Sequence, residues 1–300
     1  MTVRRIGRCA GRLTVRVFAA AALFGLPLAW AQKGYRPPPR YLQIGQPDQA
    51  EGRKILEEFR QQGIAGDYYL EFTLEVIPRH GAEHRLTGRL WGARTAAGPI
   101  SRVSVRAEAG PEAPEVRLLV RSGASPALWT WRDQPGGAVQ PAGVGELFAG
   151  VADTNLTPFD LQMPFLFWPD FVYEGLTRMR GRPAHQFLLY PPAGLAAQHP
   201  GLTGVRVYLD TQYTALVEAD LIGEGGRDLR SLSLLDLKKV GGQWIVKAID
   251  VRDETTRDKT RLVVTAAALN QNFAPALFDP TGLAVAAPAP VGPDLVRLDP

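Results

Sequence analysis

The chain has 300 residues, 45% hydrophobic and 21% charged, a mix that supplies a sizeable core and excludes wholesale disorder. Its 31 Gly and 25 Pro approach a fifth of the residues, which interrupts long helices, argues against a helical bundle and favours short strands joined by turns. The formal net charge is +4, but the positive charge sits at one end: Arg4, Arg5, Arg8, Arg12 and Arg16 precede the first acid.

Residues 17–31 (VFAAAALFGLPLAWA) are apolar, contain Pro27 and close on Ala29-Trp30-Ala31. A basic start, a short apolar run and an A-x-A site read as a secretory signal peptide, residues 1–31, cleaved after Ala31. The run is shorter than the roughly twenty apolar residues a spanning helix needs. Removing those five Arg from 34 cations leaves 29 against 30 acids, so the exported chain is close to neutral. A nucleic-acid surface, which needs a retained basic patch, is not expected. Cys9, the single cysteine, lies in the signal, leaving no disulfide, no Cys metal ligand and no lipidation site at the cleavage point. The reading is a soluble, monomeric periplasmic protein without a cofactor.

Residues 32–45 are Pro-rich and read as an extended linker. A helix follows, started by Pro47 and Asp48, striped by Ile55, Leu56 and Phe59, and stopped by Gly63. From Asp67 the period becomes two: Tyr68, Leu70, Phe72, Leu74 and Val76 share one face, and Glu71, Thr73 and Glu75 the other. Strands over 86–93, 100–107, 115–121 and 127–132 continue an antiparallel meander. The rhythm breaks at 141–170, where two short apolar helices are expected, around 144–148 and 158–166, with Phe159, Phe165, Phe167 and Trp168 close together. Strands resume over 182–190, 204–209, 216–223, 230–239, 243–253 and 260–269. The fold class is mainly β, an antiparallel sheet of about eleven strands with a few helices, which excludes a doubly wound parallel sheet. Residues 281–300 are Ala/Pro-rich and expected to be disordered.

Candidate chemistry is thin. His80-Gly81-Ala82-Glu83-His84 matches the H-x-x-E-H string of inverted zinc proteases, which needs a helix to set both imidazoles on one face. Pro78, Gly81 and the flanking strands place it at a hairpin tip instead. A periplasmic hydrolase built on it is the least favoured reading. His185 and His199 have no companion ligands at metal-binding spacing. Asp250, Asp253 and Glu254 cluster near a strand end, where ion pairs with Arg252 and Arg257 are a simpler account than paired acid/base work. What remains is apolar: Phe72, Leu74 and Val76 on one strand, the pair Trp129 and Trp131, and Phe165, Phe167 and Trp168 in the excursion. These are either plain core or the wall and lid of a cavity able to hold an acyl chain. No catalytic or metal residue is assigned.

Residues 182–278 carry a further pattern: Leu209-Asp210 closing a strand, Gly241-Gly242-x-Trp244 at a turn, K-T-R-L over 259–262, and Asn270 followed by Leu277-Phe278. Together these resemble the LolA-like family of outer-membrane lipoprotein-sorting proteins, over residues 46–280. The resemblance implies an unclosed, strongly curved antiparallel half-barrel with a helical lid over an apolar concavity. It further implies a non-enzymatic carrier of lipid or lipoprotein acyl chains, with an inner-membrane transporter and an outer-membrane receptor as partners. A lipid-sensing regulatory module of the same fold, controlling a protein partner, is the alternative.

Overall fold

The computed structural model describes residues 45–108, 113–290, 292 and 294–299. The expected signal peptide, and all of the expected linker but Gly45, lie outside them. Helix α1 (Gln49–Gln61) starts where Asp48 accepts hydrogen bonds from the backbone N–H of Ala50 and Glu51, satisfying donors that an uncapped helix leaves open.

The first meander runs β1 (Asp67–Ile77), β2 (His84–Thr95), β3 (Gly98–Ala107), β4 (Glu115–Arg121), β5 (Ala127–Arg132) and the two-residue β6 (Gln140–Pro141). The excursion holds α2 (Val144–Phe148), a 3-10 turn at Val151–Asp153, α3 (Pro158–Gln162) and a second 3-10 turn at Pro164–Phe167. Met163, at φ 43°, and Pro164 split what the sequence suggests as one helix over 158–166. Strand β7 (Phe171–Met179), β8 (Arg182–Leu189), α4 (Ala193–Gln198), β9 (Gly204–Asp210), β10 (Leu216–Ile222), β11 (Asp228–Val240), β12 (Gln243–Asp253) and β13 (Lys259–Gln271) form the second meander, and β14 (Val296–Arg297) closes the described chain.

Among the described residues these strands make one antiparallel sheet of fourteen, in the order β6-β5-β4-β3-β2-β1-β13-β12-β11-β10-β9-β8-β7, with β14 beside β13. The two meanders join where β1 pairs β13, from Asp67↔Gln271 to Ile77↔Lys259. β6 and β7 remain the two edges, so the sheet is an unclosed, curved half-barrel. Edge strand β7 is partly covered: the Gln49 amide accepts from Tyr173 N–H and donates to Tyr173 C=O, both at 2.9 Å. A side chain thereby stands in for a neighbouring strand, one way to blunt an open edge.

Alternation decides which side chains face inward. Leu74 and Val76 of β1, Val103 and Val105 of β3, Val116 and Leu118 of β4, and Phe187 and Val207 of the second meander belong to one large buried cluster beneath the excursion. Curvature on this face needs room for the aromatics. Phe72 lies over Gly88 directly across from it, and Tyr68 over Gly92. A Cβ at Gly88 would stand 2.2 Å from the Phe72 ring.

Three expectations are corrected. The strand count is fourteen, because β6, β7 and β14 add to the eleven; β7 escapes an alternation test because a bulge between Tyr173 and Gly175, where Gly175 takes φ 97°, breaks its period. Residues 281–300 are not disordered where described. Leu283 is fully buried, Trp91 donates from Nε1 to Pro288 C=O at 3.0 Å, and β14 pairs Ala266 and Ala267. The segment enters through two 3-10 turns, Pro275–Phe278 and Pro280–Gly282, and carbonyls in and after them find arginines: Arg102 donates to Leu277, Gly282, Leu283 and Val285, and Arg117 to Ala284. Third, Trp129 and Trp131 face the opposite side of the sheet from Phe72.

Candidate functional site

The excursion covers the inner face through its aromatics. Phe159 and Phe165 are fully buried with ring centres 5.6 Å apart, and Trp168 packs on both, at 6.2 Å from Phe159 and edge-on to Phe165 at 6.3 Å. Phe148 of α2 stacks on Phe159 at 4.6 Å and, on its other side, on His199 at 4.0 Å. The concavity beneath is therefore filled by the protein's own rings, in offset and edge geometries that aromatic pairs favour.

Polar ties hold the excursion down. Thr157 and Asp160 form a reciprocal cap at the start of α3, and the buried Asp160 carboxylate pairs with Arg230 of β11 at 2.6 Å. Arg230 also donates to the Asn155 carbonyl, while Asn155 N–H donates to Thr260 Oγ1 at 2.9 Å. On the other flank Gln162 donates to the carbonyls of Arg121 and Ala127, at 2.9 and 3.1 Å, and Ser122 Oγ donates to Gln162 C=O at 2.8 Å. From α1, Arg60 reaches the carbonyls of Leu166, at 2.5 Å, and Trp168, at 3.4 Å, with its guanidinium over the Phe167 ring at 5.7 Å. Burial lowers the Arg60 pKa, opposed by Glu57.

Eight residues were candidates from sequence. Phe72, Leu74, Val76, Phe165 and Trp168 meet in the large inner cluster, and Phe167, half-buried, packs at its margin. Trp129 and Trp131 do not join them. Leu128, next to Trp129 on the strand, points inward, so both indoles point outward, onto Ile100, Leu119 and Leu283, with Arg121 over one ring at 5.5 Å and Arg117 over the other at 4.2 Å. Sequence reasoning missed Arg60, Arg230 and Gln162, whose partners are carbonyls and carboxylates remote in the chain. It also missed a pair beside α1: Tyr173 Oη and His185 Nδ1 stand 2.7 Å apart, a bond that a neutral imidazole accepts. Burial lowers the His185 pKa and pushes Tyr173 up to about 12.

A groove of about 560 Å³ lies on the outer face, between β1–β4 and the C-terminal segment. Arg89, Arg102, Arg106, Arg117 and Arg297 line it with Glu71 and Glu115, and Glu115 pairs with both Arg106 and Arg117. Walls of this kind do not suit an acyl chain. His80 and His84 are exposed at the β1–β2 hairpin, where the sequence puts them, and no group of three or more metal-type side chains is assembled among the described residues.

No family model matches the chain, and no curated protein matches it by sequence. Solved structures do. A DUF1329 family protein from Desulfovibrio piger is 14% identical with a TM-score of 0.66, over 80% of this chain and 100% of that one. A putative outer membrane lipoprotein-sorting protein domain from Vibrio parahaemolyticus is 14% identical with a TM-score of 0.67, over 79% and 99%. A LolA superfamily protein from Nitrosomonas europaea is 11% identical with a TM-score of 0.56, over 76% and 96%. The half-barrel with its covering excursion is the LolA-like fold.

Proposed function

We propose that the protein is a periplasmic, non-enzymatic carrier of lipid or lipoprotein acyl chains, which it holds between the inner face of the sheet and the excursion. The observation that carries this reading is the way the excursion is attached. Its residues add no strand to the inner face; they lie on it through aromatic contact and a few side-chain ties from Arg60, Arg230 and Gln162. Two of the groups involved, Arg230 Nε and Asn155 Nδ2, are buried without a hydrogen-bond partner. Each such group costs free energy while the excursion is down and regains water when it lifts.

Lifting exchanges the inward aromatics for the ligand. A sixteen-carbon chain gains about 12 kcal/mol on leaving water, at ~0.8 kcal/mol per methylene. That offsets exposure of three or four rings at roughly 1.5–3 kcal/mol each. Because a membrane offers an acyl chain similar burial, delivery depends on small differences between membrane, pocket and receptor, and a cover that opens at modest cost suits that task. The neutral exported chain and the apolar inner face fit lipid cargo, with an inner-membrane donor and an outer-membrane acceptor as its partners. Mass spectrometry of the protein purified from periplasm tests the reading: stoichiometric lipid or lipoprotein should co-purify and be displaced by a fluorescent fatty acid. A chain that carries no lipid and takes up no probe would refute it.

A further inference from the structure

One arm of the sheet stands apart. The β10–β11 pairing ends at Glu218↔Ser233 and the β12–β13 pairing begins at Ala248↔Val263. Beyond them, residues 237–246 pair only with each other, as a two-stranded hairpin turning at Gly241-Gly242. Its two faces differ. Val240 and Ile245 are buried in the large inner cluster, so one face packs on the body. On the other face Trp244 lies opposite Lys239, and Val246 opposite Leu237. Trp244 is 63% exposed, and Val246 and Leu235 are 41% exposed each. Lys239 is exposed on this face beside Trp244, and Lys238, opposite Ile245, is exposed from the other face near the turn.

The β9–β10 turn projects from the same end of the sheet, since alternate turns of an antiparallel meander lie at one end. It adds Tyr213, 56% exposed, with Arg182 over its ring at 5.8 Å. Four of the eight exposed large hydrophobic side chains among the described residues thus sit on the β11–β12 arm and the β9–β10 turn. The nearby acids are largely committed: Asp210 pairs with Arg182 and Glu218 with Arg180, leaving Asp236 against two lysines.

We propose that this end of the sheet docks on an anionic bilayer surface, with Trp244, Val246 and Leu235 entering the headgroup layer and Lys238 and Lys239 meeting lipid phosphates. Trp and Tyr prefer that layer, where the ring is apolar on one side and wet on the other. Each lysine near an anionic surface is worth about fivefold in partitioning. On a chain otherwise near neutral, the local lysine pair supplies the charge complementarity. The proposal does not depend on what the interior holds.

The test is flotation of the exported chain, lacking residues 1–31, with vesicles of phosphatidylcholine alone and with one third phosphatidylglycerol. Binding is expected to the mixed vesicles and to fall with salt. Trp244→Ser with Val246→Ser should lower partitioning at least about tenfold. Lys238→Glu with Lys239→Glu should abolish the preference for anionic lipid. The altered side chains are exposed, so all variants should keep the melting temperature, and uptake of a fatty-acid probe should be unchanged. No binding of the unaltered chain to mixed vesicles, or equal binding by the variants, would overturn the proposal. Loss of probe uptake with docking intact would count instead against the carrier reading.

Discussion

Asp220, buried on β10, is a residue whose ionisation bears on stability. Burial above all, with Glu218 and Asp228 beside it and Arg206 opposing, pushes its pKa up to about 7. The folded chain thus holds this proton more tightly than the unfolded chain, whose carboxyl titrates near the ordinary 3.8. Unfolding releases the proton between those values, so stability falls as pH rises from about 4 to about 7, with the full cost present above 7. Asp220→Asn should remove that slope and stabilise the protein at pH 8 by roughly 1–3 kcal/mol, with little effect at pH 4. Urea midpoints at the two pH values check this; an equal shift at both would mean Asp220 does not carry the effect. Nothing in the sequence marks Asp220, because its surroundings come from β9, β11 and the loop after β12. Trp129 and Trp131 teach the complementary lesson. Their spacing shows that they share a face, but only tertiary packing decides that Leu128 faces the concavity and the indoles face away.

At the scale of elements, the excursion was legible as a break in period and as a density of aromatics, and α2 falls at 144–148 as read. Its attachment was not legible, since Arg60, Arg230 and Gln162 act on backbone atoms up to 108 residues away. Arg60→Leu keeps the stem over Phe167 and removes the bonds to Leu166 and Trp168. If the excursion is a cover, uptake of a fatty-acid probe should quicken several-fold while the melting temperature falls by only a few degrees. If it is only core, stability drops and uptake per folded molecule stays the same. The sheet beneath offers a contrasting change. Gly88→Ala sets a methyl against the Phe72 ring, where there is no space, so β1 or β2 must shift. The expected loss is about 1–3 kcal/mol, read in urea, and Phe72→Leu in the same chain should restore part of it. Strictly additive effects would show that the ring is not what forbids the methyl.

On the scale of the whole molecule, the half-barrel has a seam that the C-terminal segment fills. β12 leaves β13 beyond Val263, while β13 continues to Gln271 against β1 alone, which exposes the backbone of Val264 to Leu269 on one side. β14 enters that gap in the plane of the sheet: it pairs Ala266 and Ala267, and Leu298 N–H donates to Thr265 C=O at 2.9 Å. Leu298 then points into the inner cluster and Arg297 outward to Glu71 at 3.2 Å. The buried Lys247 spans the seam, donating to Val264 C=O at 3.0 Å and to Asp299 C=O at 2.6 Å. Composition suggested a loose tail because it counts Ala and Pro; it does not register that Leu295 and Leu298 pack into separate apolar clusters beside an unpaired edge. Deleting residues 292–300 removes a buried leucine, worth roughly 1.5–3 kcal/mol, and one acceptor of a buried ammonium, whose loss costs about as much again. It also opens a run of strand edge flanked by small residues, the kind of edge that recruits another chain. The truncated protein should melt several degrees lower and sediment as a concentration-dependent dimer. A peptide of residues 292–300, added in trans, should restore the monomer. A truncated chain that stays monomeric at its original melting temperature would mean that β1 alone holds β13 and that the seam needs no filling.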